Sequence, residues 1–452
     1  MSKKVTIIGA GLVGSLLGIL LSKRGYRVSV YEKRSDMRRT AMSAGRSINL
    51  ALSDRGIQAL EAVDIMKDIK PIAIPMHGRL MHAVDGQQSF QAYGKEGQFI
   101  NSVSRGELNR KLMDLAEAHG VSIHFNHRCD QINWTTNDIH FTDTETNTSI
   151  STQQDLIFGS DGAYSAARLA HQLQHDRFQY QQYYIDFGYK ELTIPAGADG
   201  GFRMDKNALH IWPRGNFMLI ALPNTDGSFT CTLFFPFDGE PSFSSLKTPA
   251  AVRSFFDATF TDASKLMPTL EDDFFTNATS SLVTVKCYPW IRGDRFALIG
   301  DAAHAIVPFF GQGMNCGFED CTVLAGLIDQ FEHDWSRILP EYQRLRKPDG
   351  DAIADLALNN FIEMRDKVAD PTFLFQKKIE ATFSQLHPDQ WTPAYSQVTF
   401  SPHIRYSEAL VNGNRQERVM QRVMQQSDLK TIWEKEPETI FNWIREYLQT
   451  EA

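Results

Sequence analysis

Two glycine clusters, each with an acid close by in the chain, are the residues best suited to hold a nucleotide-like ligand. The first is Gly9-Ala10-Gly11-Leu12-Val13-Gly14, followed by Glu32. Gly9 allows a tight turn, Gly11 lets bare backbone approach a pyrophosphate, and Gly14 lets a helix pack on its strand. The N-terminus of that helix favours phosphate charge. A carboxylate at Glu32 can accept hydrogen bonds from ribose hydroxyls and disfavours a 2′-phosphate, so NADP is not expected at this position. The second cluster is Leu298-Ile299-Gly300-Asp301-Ala302-Ala303-His304, continuing through Pro308-Phe309-Phe310-Gly311-Gln312-Gly313-Met314-Asn315. Asp301 ends a strand where it can bind sugar-like hydroxyls. Gly311 and Gly313 let backbone N–H groups at a helix start face a flat ring. A third apolar strand runs into Asp161-Gly162.

The elements that must carry these residues follow from periodicity. Val5 to Ile8 is a short β-prone run, Ser15 to Arg24 reads as a helix with Leu16, Leu17, Leu20 and Leu21 inward, and Gly25 stops it. Arg27 to Tyr31 is a second strand, which completes a βαβ dinucleotide fingerprint. Phe296 to Ile299 is a strand, and a helical pattern begins near Cys316. Ser53 to Val63 reads as a helix, and Pro71 to Tyr93 as strand and turn. Ser104 and Glu107 form a capping box for a helix striped by Leu108, Leu112 and Leu115. From Tyr180 to Val285 the pattern turns to β: Ala208 to Trp212, Phe217 to Leu222 and Phe229 to Phe235, the last two joined through Pro223 to Gly227. Leu209 and Ile211 share one face of their strand, as do Met218, Ile220 and Leu222 of theirs. Such charge-free faces suit a packed core or the wall of a ligand pocket. Beyond Asp320 the chain reads as helical, with segments Glu341 to Arg346, Asp351 to Val368 and Asp370 to Leu386. Two apolar stripes follow, Val419, Met420, Val423, Met424 and Ile440, Phe441, Ile444, Leu448.

Composition narrows the classes. A chain of 452 residues can bury large cores in two or three domains. The net charge of −8, without a Lys/Arg block, argues against nucleic acid as a partner. Five scattered cysteines form neither a disulfide framework nor a zinc ligand set, so no metal is expected and a reducing, cytoplasmic setting is. No apolar run approaches the ~18 residues of a membrane span.

The three glycine-acid elements, in this order, resemble the single-component FAD-dependent aromatic hydroxylases. Within that class the resemblance narrows to the kynurenine 3-monooxygenase family. It is carried by Gly45 to Leu52, Tyr189-Lys190-Glu191-Leu192, Asn207-Ala208-Leu209-His210-Ile211-Trp212-Pro213, Val307-Pro308-Phe309 with Gly311 to Asn315, and Tyr395 to Ser401. It runs from Lys4 to about Ala409. The resemblance implies an α/β (α+β) fold: a Rossmann-like FAD-binding domain with a β-sheet substrate domain, p-hydroxybenzoate-hydroxylase-like, plus a C-terminal helical region. The expected divisions are 1–70, 97–178 and 287–345 for the FAD-binding domain, 71–96 and 179–286 for the substrate domain, and 346–452 for the helical region.

The resemblance also implies roles. Gly9, Gly11, Gly14, Glu32 and Arg34 would hold the ADP half of a non-covalent FAD, with Arg105 in contact and the backbone at Cys129 beside the adenine. Asp301 would hold the ribityl chain, with Gly313, Met314 and Asn315 along the isoalloxazine and Ala51 also binding the cofactor. Asp161-Gly162 is associated with FAD and NADPH contacts. Arg79, Tyr93, Asn360 and Tyr395 would hold the amino-acid end of L-kynurenine. Ile100, Leu209, Ile211, Met218, Ile220, Leu222, Phe234, Pro308, Phe309 and Met364 would enclose its ring. An arginine with two phenols and an amide suits an α-carboxylate, and an aniline ring needs a dry apolar cavity.

The implied reaction, a step of tryptophan degradation, is NADPH- and O2-dependent 3-hydroxylation through a flavin C4a-hydroperoxide. It demands no strong protein base, and the chain offers no obvious acid–base dyad. Phe310 stands where relatives often carry histidine, and Ala394 where some carry arginine. The expected state is a soluble monomer or homodimer without a membrane span. The alternative is a hydroxylase of another, phenolic aromatic acid such as salicylate, which would place a polar group near the ring.

Overall fold

The computed structural model describes residues 3–39, 48–95, 97–366 and 370–451, with backbone alone at 364–366. The first βαβ unit forms as its residues require: strand Lys4–Ile8, helix Leu12–Lys23 and strand Arg27–Tyr31 pair in parallel register. They sit in a six-stranded sheet ordered Ile291–Arg292, Phe296–Leu298, Leu156–Gly159, Lys4–Ile8, Arg27–Tyr31, Ser122–His124. All neighbours in it are parallel except the Ile291–Arg292 edge. Parallel strands covered on both faces read as continuous apolar runs, and Val5, Ile7, Leu156, Ile157, Phe158, Ala297 and Leu298 are buried accordingly. The strand ends carrying Gly9, Asp161 and Gly300 therefore gather at one edge of this sheet.

The second large sheet has seven strands, ordered Ser280–Tyr288, Gln179–Ile194, Phe229–Pro236, Phe217–Pro223, Ala208–Arg214, Gly78–His82, Gln88–Ala92. Its two faces are used differently. Trp212, Leu219, Ala221, Cys231, Leu233 and Phe235 pack beneath the Pro249–Thr259 and Leu270–Thr276 helices. The alternate residues point the other way, because side chains switch faces with period two. Register places Arg79 beside Leu209, Ile211 beside Ile220, and Met218 beside Phe234. One face is thus plain core, and the other carries the expected pocket residues. A small sheet, Asn49–Leu52, Ile100–Ser104 and Ala73–Met76, lies between the two systems in sequence.

Helix limits differ from the sequence expectation in instructive places. The helix after the second glycine cluster begins at Gly313, not near Cys316, so three further N–H groups belong to its open end. The segments expected at 341–346 and 351–368 are one helix, Trp335–Asp366, which runs straight through the expected domain division at 345. Pro340 and Pro348 lie inside it. Proline removes a backbone hydrogen bond and ordinarily breaks a helix. Here tertiary burial overrides that cost: Ile338, Leu339, Tyr342, Ile353 and Ala357 are fully buried. The box at Ser104 is half formed, its hydroxyl accepting from the Glu107 N–H at 3.4 Å. The two late stripes meet each other: Val419, Met420, Val423, Ile440, Phe441 and Ile444 close one core with Phe383 and Trp391.

Candidate active site

The first glycine cluster has the shape of a phosphate cradle. Gly9 has φ +103°, and a Cβ there would lie 2.6 Å from the Ser160 carbonyl oxygen; one on Gly14 would lie 2.1 Å from that of Gly9. At Gly11 a Cβ would meet nothing within 4 Å. Two glycines are therefore required by packing, and the third borders open space. The helix that starts at Leu12 has no side-chain cap and no acid in its first turn, so its N–H groups stay available to an anion. Glu32 is buried and accepts from the Ala10 N–H at 3.0 Å and from Arg34 Nε at 2.8 Å. Burial alone would raise its pKa, but the hydrogen bonds and charge of Arg34 hold it below the usual range, so it stays ionised. Arg34 itself is largely exposed. Cys129 is buried in the same core, and burial pushes its thiol up.

The second cluster supplies a free carboxylate and a second open helix end. Asp301 is partly buried and has no hydrogen-bond partner among the described residues. Gly300 has φ +62°, and a Cβ on it would come within 3.1 Å of Val13. This close approach sets Asp301 against the first helix. The Gly313–Gln330 helix also starts without a side-chain cap or a first-turn acid. The Asn315 side chain is held by the chain itself. Its Nδ2 donates to the carbonyls of Ala51 (2.8 Å) and Gly311 (2.9 Å), and its Oδ1 accepts from the Ser53 N–H (3.0 Å). Every group of the amide is spent stitching Ala51 to Gly311, which leaves backbone to face a ring. Asp161 is likewise a cap: its carboxylate accepts from the Ser165 hydroxyl and the Ala166 and Ala167 N–H groups.

FAD fits these residues. Glycine-lined backbone, two uncapped helix starts, an ionised Glu32, an exposed Arg105 and an Asp301 unpartnered among the described residues suit its ribose, pyrophosphate and ribityl groups.

Behind the second cluster lies an ionic network that sequence reasoning missed. Asp320, fully buried, accepts from His304 Nε2 (2.6 Å), Arg346 Nε (2.7 Å) and the Gly300 N–H (3.0 Å). Arg346 also meets Glu319 (2.6 Å) and Asp349 (3.1 Å). Burial would push His304 down, yet the Asp320 charge holds it well above its ordinary 6.5; burial would push Asp320 up, yet His304 and Arg346 hold it below 3.8. His304, Cys316 and Asp320 lie close enough to ligate a metal ion. The Arg346 guanidinium, 3.3 Å from Cys316 Sγ, already supplies the cation there. The available signal was an acid, Asp320, within an otherwise apolar helical stripe.

The substrate-side residues converge from four separate segments. Arg79 places its guanidinium 4.6 Å from the ring centre of Tyr395 and 5.4 Å from that of Tyr93, and the two rings stack at 5.8 Å. No carboxylate pairs with Arg79 among the described residues. Burial works against its charge, but Tyr395 and Tyr93 more than offset it, so the guanidinium stays protonated. The Tyr93 hydroxyl is buried without a hydrogen-bond partner among the described residues. Burial, then Tyr395, push its pKa well above 10, so it remains a neutral donor. A cation and an unused donor thus face one spot.

Ile100, Leu222, Leu209, Ile220 and Ala51 pack with Tyr93 and Tyr395, while Met218, Phe234 and Phe309 form the adjoining cluster. Phe309 stacks on Phe361 at 4.4 Å, and Phe310 on Tyr395 at 5.5 Å. Ile211 is buried beside Ile220. Two expected members sit differently. Pro308 is exposed, because it opens the Pro308–Phe310 turn, where a missing N–H costs nothing and the ring can point outward. Asn360 donates to the Phe309 carbonyl at 2.7 Å and so braces the wall. The side chain of Met364 and the segment Gly45 to Ser47 lie outside the described residues.

Known proteins match the chain over most of its length. The FAD binding domain family matches residues 2–357. A kynurenine 3-monooxygenase of Flavobacterium johnsoniae is 50% identical over 449 residues, 99% of each chain. That of Sus scrofa is 45% identical over 419 residues, 92% of this chain and 88% of its own. Among solved structures, the tetrameric form of 2-methyl-3-hydroxypyridine-5-carboxylic acid oxygenase superposes with a TM-score of 0.67 at 19% identity, covering 89% of this chain and 98% of its own. A probable FAD-dependent monooxygenase from Pseudomonas aeruginosa gives 0.64 at 18% identity, covering 81% and 97%.

Proposed function

The chain belongs to the kynurenine 3-monooxygenase family of FAD-dependent aromatic monooxygenases, and from that premise we propose that it hydroxylates L-kynurenine to 3-hydroxy-L-kynurenine, consuming NADPH and O2, in tryptophan degradation. The observation that carries this reading is Arg79: a largely buried guanidinium over two phenol rings and, among the described residues, without a carboxylate of its own. A buried cation of this kind is costly unless an anion completes it, and the α-carboxylate of an amino acid has the right charge and shape. Tyr93 adds a neutral hydroxyl donor on the same side.

The flavin, when bound, supplies the reducing and oxygen-activating chemistry. The chain's own residues do the rest. Arg79, Tyr93 and Tyr395 hold the acid end of the substrate. Leu209, Ile220, Leu222, Phe234 and Phe309 keep water from the ring, as oxygen-transfer chemistry supplied by a bound flavin would require. Ala51, tied to Gly311 through Asn315, joins the loop that would hold the flavin to this wall, so the two halves of the site are fixed to each other. No protein base is required, because the substrate's amino group already enriches the ortho carbon. Among the described residues no helix is long and apolar enough to cross a membrane.

The deciding experiment is NADPH consumption by the FAD-loaded protein with and without L-kynurenine, with the product identified by mass. Stimulation with a product one oxygen heavier is the expected result. Stimulation without that product would make kynurenine an uncoupling effector. No response with FAD bound would move the reading to a phenolic acid.

A further inference from the structure

We propose that Arg55 is a positioning residue for substrate binding: it holds Tyr395 in place by capping, from a different element, the short helix that carries it. This rests on the reading above, in which Tyr395 helps grip the acid end of the substrate. Arg55 lies on the Asp54–Glu61 helix, directly after the strand that Asn315 ties to the Gly311 loop. Its side chain is completely buried. Nε donates to the Val398 carbonyl at 2.8 Å, and Nη2 faces the carbonyls of Gln397 (3.3 Å), Ser401 (3.4 Å) and Ile404.

The Gln397 and Val398 carbonyls lie in the last turn of a helix that ends at Phe400, where carbonyls lack intrahelical partners, and Ser401 is its C-cap. Ala394–Phe400 is only seven residues long, too short to hold itself together. A planar cation at its C-terminus satisfies its carbonyls and opposes its dipole. Tyr395 sits at the other end of the same two turns. The opposite side of the guanidinium is anchored too. It pairs with Glu319 on the Gly313–Gln330 helix and lies 4.0 Å over the ring of Tyr406, whose hydroxyl donates to Gln312 at 2.9 Å. One side chain therefore locks the Tyr395 helix to the very loop that would face the flavin ring. Arg55 touches neither Arg79 nor Tyr93 and is no catalytic residue.

Removing the guanidinium need not collapse the interior, since Glu319 keeps Arg346 as a partner at 2.6 Å. The test compares Arg55→Met and Arg55→Lys, as FAD-loaded full chains, alone and combined with Tyr395→Phe. Flavin content, thermal unfolding, kynurenine KM, kcat and hydroxylated product per NADPH are measured. Arg55→Met should raise KM about tenfold and lower product per NADPH, with flavin content unchanged, because a displacement of about 1 Å is enough for that loss. Arg55→Lys, a point charge that cannot span several carbonyls, should fall between it and the parent.

On the Tyr395→Phe background the further rise in KM should shrink to about twofold or less, since effects carried through one residue do not add. Full multiplication of the two effects would overturn the proposal, as would unchanged KM in either Arg55 variant. Should Arg55→Met fail to fold, the same cycle with Arg55→Lys decides. If Tyr395→Phe and Arg79→Ala both leave KM unchanged, the substrate reading has failed. In that case a raised KM in Arg55→Lys would also count against action through Tyr395.

Discussion

Two largely buried arginines are treated in opposite ways by this fold. Arg346, behind the flavin-side loop, is shared among Glu319, Asp320 and Asp349, and Asp320 in turn holds His304 and the Gly300 N–H. Arg79, on the substrate side, has two aromatic rings and no acid among the described residues. Burial of charge is tolerated only where it is compensated. The difference therefore separates what each arginine is for. Arg346 completes a structural lock with groups the chain provides, whereas Arg79 keeps a charge whose natural partner comes from outside. The flavin half is built from contiguous motifs, and the substrate half from residues whose strands and helices are far apart in sequence.

The strongest way to break that contrast is to open the lock. Asp320→Ala leaves His304 and part of Arg346 buried without their carboxylate, and should cost about 3–5 kcal/mol of stability. Thermal unfolding of the variant should show it, with FAD release following at lower temperature. The pH dependence carries a sign. Asp320 is held below its ordinary 3.8, so its contribution is present above that value and is lost as pH falls through the lower folded value. His304 is held above 6.5, so its contribution is full below 6.5 and is lost as pH rises through the higher folded value. The lock is therefore at full strength between those two ordinary values. An Asp320→Ala protein as stable as the parent across this window would show that the network is ornamental.

Arg79 should behave in the opposite manner. Arg79→Ala is expected to leave folding and FAD content intact and to raise the kynurenine KM by about a hundredfold, the equivalent of one or two charged hydrogen bonds. Arg79→Lys should recover only part of this, because a point charge cannot present a flat fork to a carboxylate. Loss of flavin at normal KM in the flavin-loaded fraction would place Arg79 with the structural arginines and erase the contrast.

How much of this was legible in the sequence follows the same divide. Gly9, Gly11, Gly14 and Glu32 announce themselves because a phosphate cradle needs glycines and an acid at fixed spacing within one βαβ unit. The shared face of Met218, Ile220 and Leu222 was legible from a period of two, although only the sheet order shows that it, and not the Trp212 face, looks away from the covering helices. The grip itself was not legible from spacing. Arg79 and Tyr93 lie on or beside edge-side strands, Tyr395 on a late short helix, and only resemblance joined them. The unbroken Trp335–Asp366 helix, the tether made by Asn315 and the Asp320 lock were invisible for a common reason. Each depends on partners distant in sequence, which overrule a local proline or give an ordinary-looking polar residue its role.

The smallest expected effect lies where the two halves meet. Glu191 pairs in register with Thr232, which lies opposite Ile220, so it faces the same side as the ring wall. Burial pushes its carboxyl up from 4.5 to about 7, with a backbone hydrogen bond from Ile48 and the charge of Arg105 opposing. A raised carboxyl means that the fold prefers the neutral acid. Stability is untouched below pH 4.5, declines as pH rises from there to about 7, and stays lower above it. Glu191→Gln keeps the shape and removes that decline. It should stabilise the FAD-loaded protein at pH 8 by ~1–2 kcal/mol, allowing for partial solvent screening, and do nothing at pH 4. Equal unfolding curves for the two proteins at pH 8 would mean that Arg105 fully compensates Glu191. The boundary of the paired, flavin-side region would then extend onto the substrate sheet, leaving Arg79 as the uncompensated charge of this comparison.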